Sequence, residues 1–280
     1  MTVNPLSEAI DRGLPLIVLA PHLDDAALSC GALMIHAASH TSVTVVTFFT
    51  QASQRPHTLS ARRYLHQVGT QNAELLYQQR RQEDRAALEP IGITCVHARL
   101  PEALFRRRPR QEGRSSLGAR LLPELDHVYP VYRAHITAGR IAADDAGTLR
   151  QVREIIQHMA GSAQGVVLAP LGVGKHVDHV LVRTAAERSG ARVVYYSDFP
   201  YNQRHPVDCE FVRRNRLVET RWSRLIEAKA ELVRVYGTQV QALFDGGHIP
   251  AVPEVFFSAA SCTSKALPGA PGGITEVRAK

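Results

Sequence analysis

Two stretches of almost uninterrupted apolar residues, 14–20 (LPLIVLA) and 42–50 (SVTVVTFFT), flank a segment, 25–40, in which Ala, Leu and Met recur at helical spacing. Neither stretch alternates with polar positions, so each is predicted to be a central strand covered on both faces. A β-α-β unit results. A Ser/Thr/Gln-rich connection then leads to a predicted helix over about 71–89, closed by Pro90 and Gly92, and to a short strand, TCVHA, at 94–98. Regularity returns with a helix over about 146–160, the strand GVVLA at 165–169, a helix over 179–189 and the strand ARVVYYSD at 191–198. Strands alternating with helices predict an α/β fold, Rossmann-like and doubly wound, with a mostly parallel sheet and a crevice at the strand carboxyl ends.

Residues 99–144, rich in Arg and Pro, follow no period and are expected to form an insertion lying over the core. Beyond Pro200 the alternation weakens, although 223–237 reads as an amphipathic helix with a glycine stop. Residues 1–262 are expected to make a single domain carrying the insertion, and the Pro/Gly-rich stretch 263–280 a disordered tail.

Composition narrows the setting. The four cysteines are scattered without Cys-x-x-Cys spacing, which argues against a disulfide framework or a zinc-thiolate site and for a reducing compartment. No basic region followed by a long apolar run opens the chain, and no run reaches the roughly 18 apolar residues of a membrane span, so a cytoplasmic location is expected. The net charge of +7 is partly concentrated in FRRRPRQEGR, residues 105–114. No nucleic-acid motif accompanies it, and it is expected to be a solvated basic loop rather than a patch that attracts an anionic substrate, nucleic acid or a membrane.

The chemistry sits at two places of equivalent topology. PHLDD, 21–25, follows the first predicted strand, and HVDH, 176–179, follows GVVLA. Ligands of doubly wound sheets bind beyond strand carboxyl ends, so clusters this distant in sequence meet in space. Two neutral imidazoles and one carboxylate, with one position left to water, make an open catalytic zinc sphere. His22 and Asp25 are one turn apart, which leaves Asp24 beside the metal as a candidate base. A metal lowers the pKa of its water from about 16 to about 7, and a nearby carboxylate removes the proton as the oxygen attacks a carbonyl. Each cluster alone has a plainer explanation: Asp24 and Asp25 also suit a helix start, and Tyr195 and Tyr196 suit a sheet. His-x-Asp with a remote His also fits the facial triad of non-haem iron oxygenases, although the alternation of β and α opposes that architecture. A third reading is a binding module that kept the fold without the catalysis.

PHLDD followed by HVDH resembles the LmbE-like or PIG-L family of metal-dependent N-deacetylases, whose pattern is A-H-P-D-D with a later H-P-D-H or H-x-D-H. The resemblance spans most of residues 14–200. RRQEDRAALEPIGI is similar to the family's R-x-x-E helix, with Arg80 and Glu83 at the matching positions, and YYSDFPY and KAELVRVYGTQ are similar to segments of a bacterial branch. The resemblance implies His22, Asp25 and His179 as metal ligands and Asp24 as general base. It implies that His176, protonated and oriented by Asp178, stabilises the oxyanion or feeds a proton to the leaving amine, and that Arg80 sits near the substrate. Read without it, Arg80 and Glu83 would be a surface i,i+3 pair. The implied cofactor is Zn2+, with Fe2+ as the alternative. The implied substrate is a small N-acylated molecule, an amino sugar or sugar-containing natural product, or a mycothiol-like conjugate. Two positions depart from the pattern: Leu23 replaces the usual Pro, and Gly174 stands where some members carry a tyrosine that assists the oxyanion.

Overall fold

A computed structural model describes residues 5–109, 122–161 and 165–259. Seven strands form one sheet: β1 (Leu16–Ala20), β2 (Val43–Gln51), β3 (Thr94–Pro101), β4 (Val166–Pro170), β5 (Val193–Tyr196), β6 (Leu217–Trp222) and β7 (Glu254–Ala259). Their order is β3-β2-β1-β4-β5-β7-β6. The first five are mutually parallel, and β7 runs antiparallel to both neighbours, β5 and β6. The mostly parallel, doubly wound α/β sheet expected from the alternation is therefore present.

Strand periodicity explains why the apolar runs lack polar interruptions. Along β1, Leu16, Val18 and Ala20 enter the core on one face while Ile17 and Leu19 enter the core on the other; Val166 and Leu168 of β4 oppose Val167 and Ala169 in the same way. The first face is covered by α1 (Pro5–Asp11), α2 (Asp25–Ala38), α8 (Ile226–Arg234) and α9 (Gly237–Leu243), and the second by α5 (Ala146–Gly161) and α6 (Val177–Glu187). At the junction of β1 and β4 the chains come so close that a Cβ on Gly165 would lie 2.3 Å from the Pro15 carbonyl oxygen, which only glycine avoids.

The remaining elements are α3 (Leu59–Gln67), α4 (Ala73–Leu88) and α7 (Cys209–Arg214). Several differ from expectation. The polar connection after β2 contains α3, whose strongly polar sequence buries only Ala61 and Leu65. The helix foreseen over 223–237 ends at Arg234, and Gly237 opens α9 instead of terminating its predecessor. Strands β6 and β7 lie in the region where the alternation fades; half of β6 is exposed and only Trp222 is buried, so it gives little apolar signal. The expected insertion begins only after β3, which runs on to Pro101, and continues through short helical turns, among them Tyr132–Ile136. The expected tail, 263–280, lies outside the described residues, as does the second half of the basic segment 105–114.

Candidate active site

The strand order reverses between β1 and β4, and both polar clusters emerge from their carboxyl ends, one into α2 and the other into α6. That is where a doubly wound sheet opens a crevice. The structure brings His22, Asp24, Asp25, His176, Asp178 and His179 together there.

Asp25 is the hub. Its Oδ2 accepts the backbone N–H of His22 at 2.8 Å and lies 3.2 Å from His22 Nδ1 and 3.3 Å from His179 Nε2. Separations of this size are expected between donors sharing one tetrahedral cation at about 2.0–2.1 Å. His179 Nε2 is buried and has no hydrogen-bond partner, while its Nδ1 donates to Asp198 Oδ1 at 2.7 Å. A buried imidazole with one nitrogen pinned by a carboxylate and the other left with a lone pair is the form in which histidine binds metal. His22 has the same arrangement: Nε2 donates to Asp178 Oδ2 at 3.2 Å, and Nδ1 faces Asp25. Burial lowers the basicity of both rings, but Asp178 and Asp25 more than compensate at His22, as Asp25 and Asp198 do at His179, so both pKa values are raised. The site attracts positive charge, and the donor set fits a divalent cation. His22, His176 and His179 also bring ring nitrogens within 4.8 Å of one another, so a metal held through three histidines is the competing arrangement.

His176 differs from the other two. It caps the N-terminus of α6, where its Nδ1 accepts the Asp178 backbone N–H at 3.3 Å. Burial, reinforced by His22, pushes its pKa well below the usual histidine value. Where the resemblance implies a protonated partner, the capping bond occupies Nδ1 as an acceptor and leaves Nε2 as the nitrogen that carries a donatable proton. Asp178 orients this ring through its backbone amide. Its carboxylate is engaged elsewhere, by His22, the Ala103 N–H and Arg106.

Asp24 holds φ 152° and ψ −28°, a conformation L-residues rarely adopt, while its carbonyl accepts the Leu28 N–H of α2. Backbone strain of this kind persists where surrounding structure enforces it, often at functional sites. The Asp24 carboxyl is pushed well above the ordinary carboxylate range by burial and by the adjacent Asp25 charge, against the pull of Arg80. Arg80 is buried in α4, donates to the Tyr64 hydroxyl, and packs 5.6 Å from the Tyr77 ring centroid and 5.7 Å from that of Tyr64. It is therefore not half of a surface pair, and its Nε has no partner. Glu83 turns away to accept from the Thr238 backbone N–H and hydroxyl.

At Gly174 (φ +82°) a Cβ would lie 3.1 Å from the Tyr201 side chain, so Tyr201 occupies the space a larger residue at 174 would need. Its ring stands edge-on to His179, 5.9 Å between centroids.

Two buried charged side chains that contact the site's residues escaped the sequence reading. Asp198 ends the segment after β5 and therefore shares the strand-end address of the two motifs, a signal that could have found it. Arg106 gave no such signal: it belongs to the stretch expected to be a solvated loop, yet it is buried and paired with Asp145 and Asp178. Among the described residues no helix is long and apolar enough to cross a membrane.

Residues 17–189 match the protein family described as PIG-L, GlcNAc-PI de-N-acetylase. A 2'-N-acetylparomamine deacetylase of Streptomyces fradiae is 29% identical over 244 residues, covering 84% of this chain and 76% of the relative. Among solved structures, a deacetylase–bog complex from the teicoplanin biosynthesis pathway superposes with a TM-score of 0.67 at 22% identity, over 89% of this chain and 100% of the other. The zinc-inhibited form of teicoplanin deacetylase gives 0.65, also at 22% identity and over 89% and 100% of the two chains.

Proposed function

The chain belongs to the PIG-L family, and from that premise we propose that it is a metal-dependent hydrolase removing an N-acetyl group from an amino sugar within a natural product. The observation that carries this reading is the placement of Asp25 Oδ2 against both His22 Nδ1 and the partnerless His179 Nε2. The metal ligands are His22, Asp25 and His179. A divalent cation bound there, zinc with ferrous iron as the alternative, supplies Lewis-acid polarisation and acidifies water.

The chain's own residues carry the proton traffic. Asp24, the carboxylate beside the ligands that is not itself one, removes the proton from the attacking water and returns it to the departing nitrogen. Its raised pKa suits both halves of that task, because a base poised nearer neutrality is also an acid. His176 offers the Nε2–H left by its capping bond and donates it, as a hydrogen bond, to the carbonyl oxygen as negative charge develops. A neutral imidazole is a donor without being a strong acid, which assigns His176 to the oxyanion and Asp24 to the amine. Arg80 faces Asp24 and steadies its charge while standing near the substrate.

The substrate class follows the relative from Streptomyces fradiae, named for deacetylation of 2'-N-acetylparomamine. The test is incubation with 2'-N-acetylparomamine and related N-acetyl amino sugars, followed by mass spectrometry with and without a chelator. Chelator-sensitive loss of one acetyl group is expected. Conversion unaffected by metal removal contradicts the mechanism, and no conversion of any N-acetyl amino sugar contradicts the substrate class.

A further inference from the structure

We infer that Arg106 is a positioning residue for the metal site, holding His22 in place through Asp178. The inference rests on the proposed role of His22 as a ligand, and it assigns a function to a residue of the irregular segment after β3.

Every nitrogen of the Arg106 side chain is committed. Nε donates to the Pro101 carbonyl at 3.1 Å, one terminal nitrogen to Asp145 Oδ2 and the other to Asp178 Oδ1. The guanidinium lies 4.4 Å from the centroid of the Phe49 ring. The three ionic partners are all at most 3% exposed. With Oδ1 of Asp178 fixed by the guanidinium, the plane of the carboxylate is fixed, and Oδ2 is left aimed at His22 Nε2 (3.2 Å) and the Ala103 N–H (2.9 Å). The Phe49 ring beneath the guanidinium is also a neighbour of the His22 imidazole, at 6.2 Å between centroids. Arg106 thus touches two of the groups packed around His22: the carboxylate on its outer nitrogen and the aromatic ring beside it.

The far side of Arg106 leads away from the site. Asp145, at the approach to α5, accepts from Arg106 and from the Tyr129 hydroxyl at 2.9 Å. This gives the arginine two separable duties, one anchoring the irregular segment to α5 and one orienting Asp178. Partners of metal-ligating histidines fix ring orientation, and their loss costs about 10- to 100-fold in metal affinity or activity. A purely structural arginine would affect folding without this selective loss.

The experiment measures zinc affinity of metal-free protein by competition with a chromophoric chelator, with folding followed by circular dichroism. Arg106→Met should fold and bind zinc about 10- to 100-fold more weakly. Asp145→Asn, which keeps the shape of the outer partner and leaves the Asp178 contact intact, should stay within about 3-fold of the parent, since it does not disturb the histidine's own partner. Arg106→Lys should recover part of the loss, because an ammonium reaches one carboxylate but cannot match both with a planar fork. Parent affinity in folded Arg106→Met, or an equal loss in Asp145→Asn, overturns the inference. If Arg106→Met does not fold, Arg106→Lys decides: weakening of about 3- to 10-fold beside a near-normal Asp145→Asn supports the positioning role, and parent affinity overturns it. His22→Ala is the reference. Full zinc affinity in that variant would overturn the ligand assignment itself, a failure distinct from that of Arg106.

Discussion

His179 Nδ1 donates to Asp198 Oδ1 at 2.7 Å, across 19 residues of sequence and with both side chains buried. A carboxylate only accepts, so the bond fixes the proton on Nδ1 and leaves the lone pair on Nε2, facing Asp25. The other oxygen of Asp198 accepts the Val173 N–H at 2.7 Å, which locks the carboxylate in turn.

Asp198→Asn therefore attacks the tautomer rather than the ligand. With the amide oxygen kept by Val173, the amide nitrogen would face Nδ1 and drive the proton to Nε2. Metal affinity should fall about 10- to 100-fold with the fold intact, as measured by chelator competition and circular dichroism. Unchanged affinity would remove Asp198 from the support of the site.

Asp24 must be ionised to take a proton. Burial and the Asp25 charge raise its pKa, a cation held by the neighbouring ligands opposes that rise, and in either case activity should rise as pH rises through the Asp24 titration. Asp24→Asn should remove that limb and lower kcat by about 10²-fold or more, with metal content unchanged. Steady-state kinetics across pH, on enzyme of measured metal content, checks both.

The strands and the two motifs were legible because each obeys a local rule. Val18 and Val167 lie in runs buried on both faces, and His22 and His179 follow those runs at equivalent strand ends. What was not legible depends on distant partners. Nothing in FRRRPRQEGR distinguishes Arg106 from Arg108; burial selects the first through Asp145 and Asp178, which lie 39 and 72 residues away. Likewise the spacing of HVDH does not reveal that the Asp178 carboxylate serves His22 while its amide serves His176. Strand β6 was invisible because an exposed edge needs no apolar alternation, and its partner β7 packs against β5 from far along the chain.

His57 offers a test of stability away from the site. It is buried against Phe105, its Nδ1 lacks a partner, and burial together with His127, Arg55 and Arg107 pushes its pKa down to about 4. The unfolded chain, with an ordinary histidine pKa near 6.5, binds the proton first as pH falls. Stability from this group is thus complete above about 6.5 and is lost progressively as pH falls toward 4. His57→Phe keeps a ring and removes the titration. Urea unfolding between pH 4 and pH 7 should show a flatter dependence in the variant; an identical slope would assign the acid sensitivity elsewhere.

His22 and His179 need a third group to complete the proposed metal site. Asp25 Oδ2 lies 3.2 and 3.3 Å from their facing nitrogens, whereas His176 spends Nδ1 on its helix cap. Elemental analysis of purified Asp25→Ala and His176→Ala, beside the parent, decides between them. About one equivalent of metal is expected in the parent, nearly the same in His176→Ala with turnover down by about 10²-fold or more, and strong loss in Asp25→Ala. Metal retained in Asp25→Ala and lost from His176→Ala would give the third position to His176 and remove Asp25 from the ligand set.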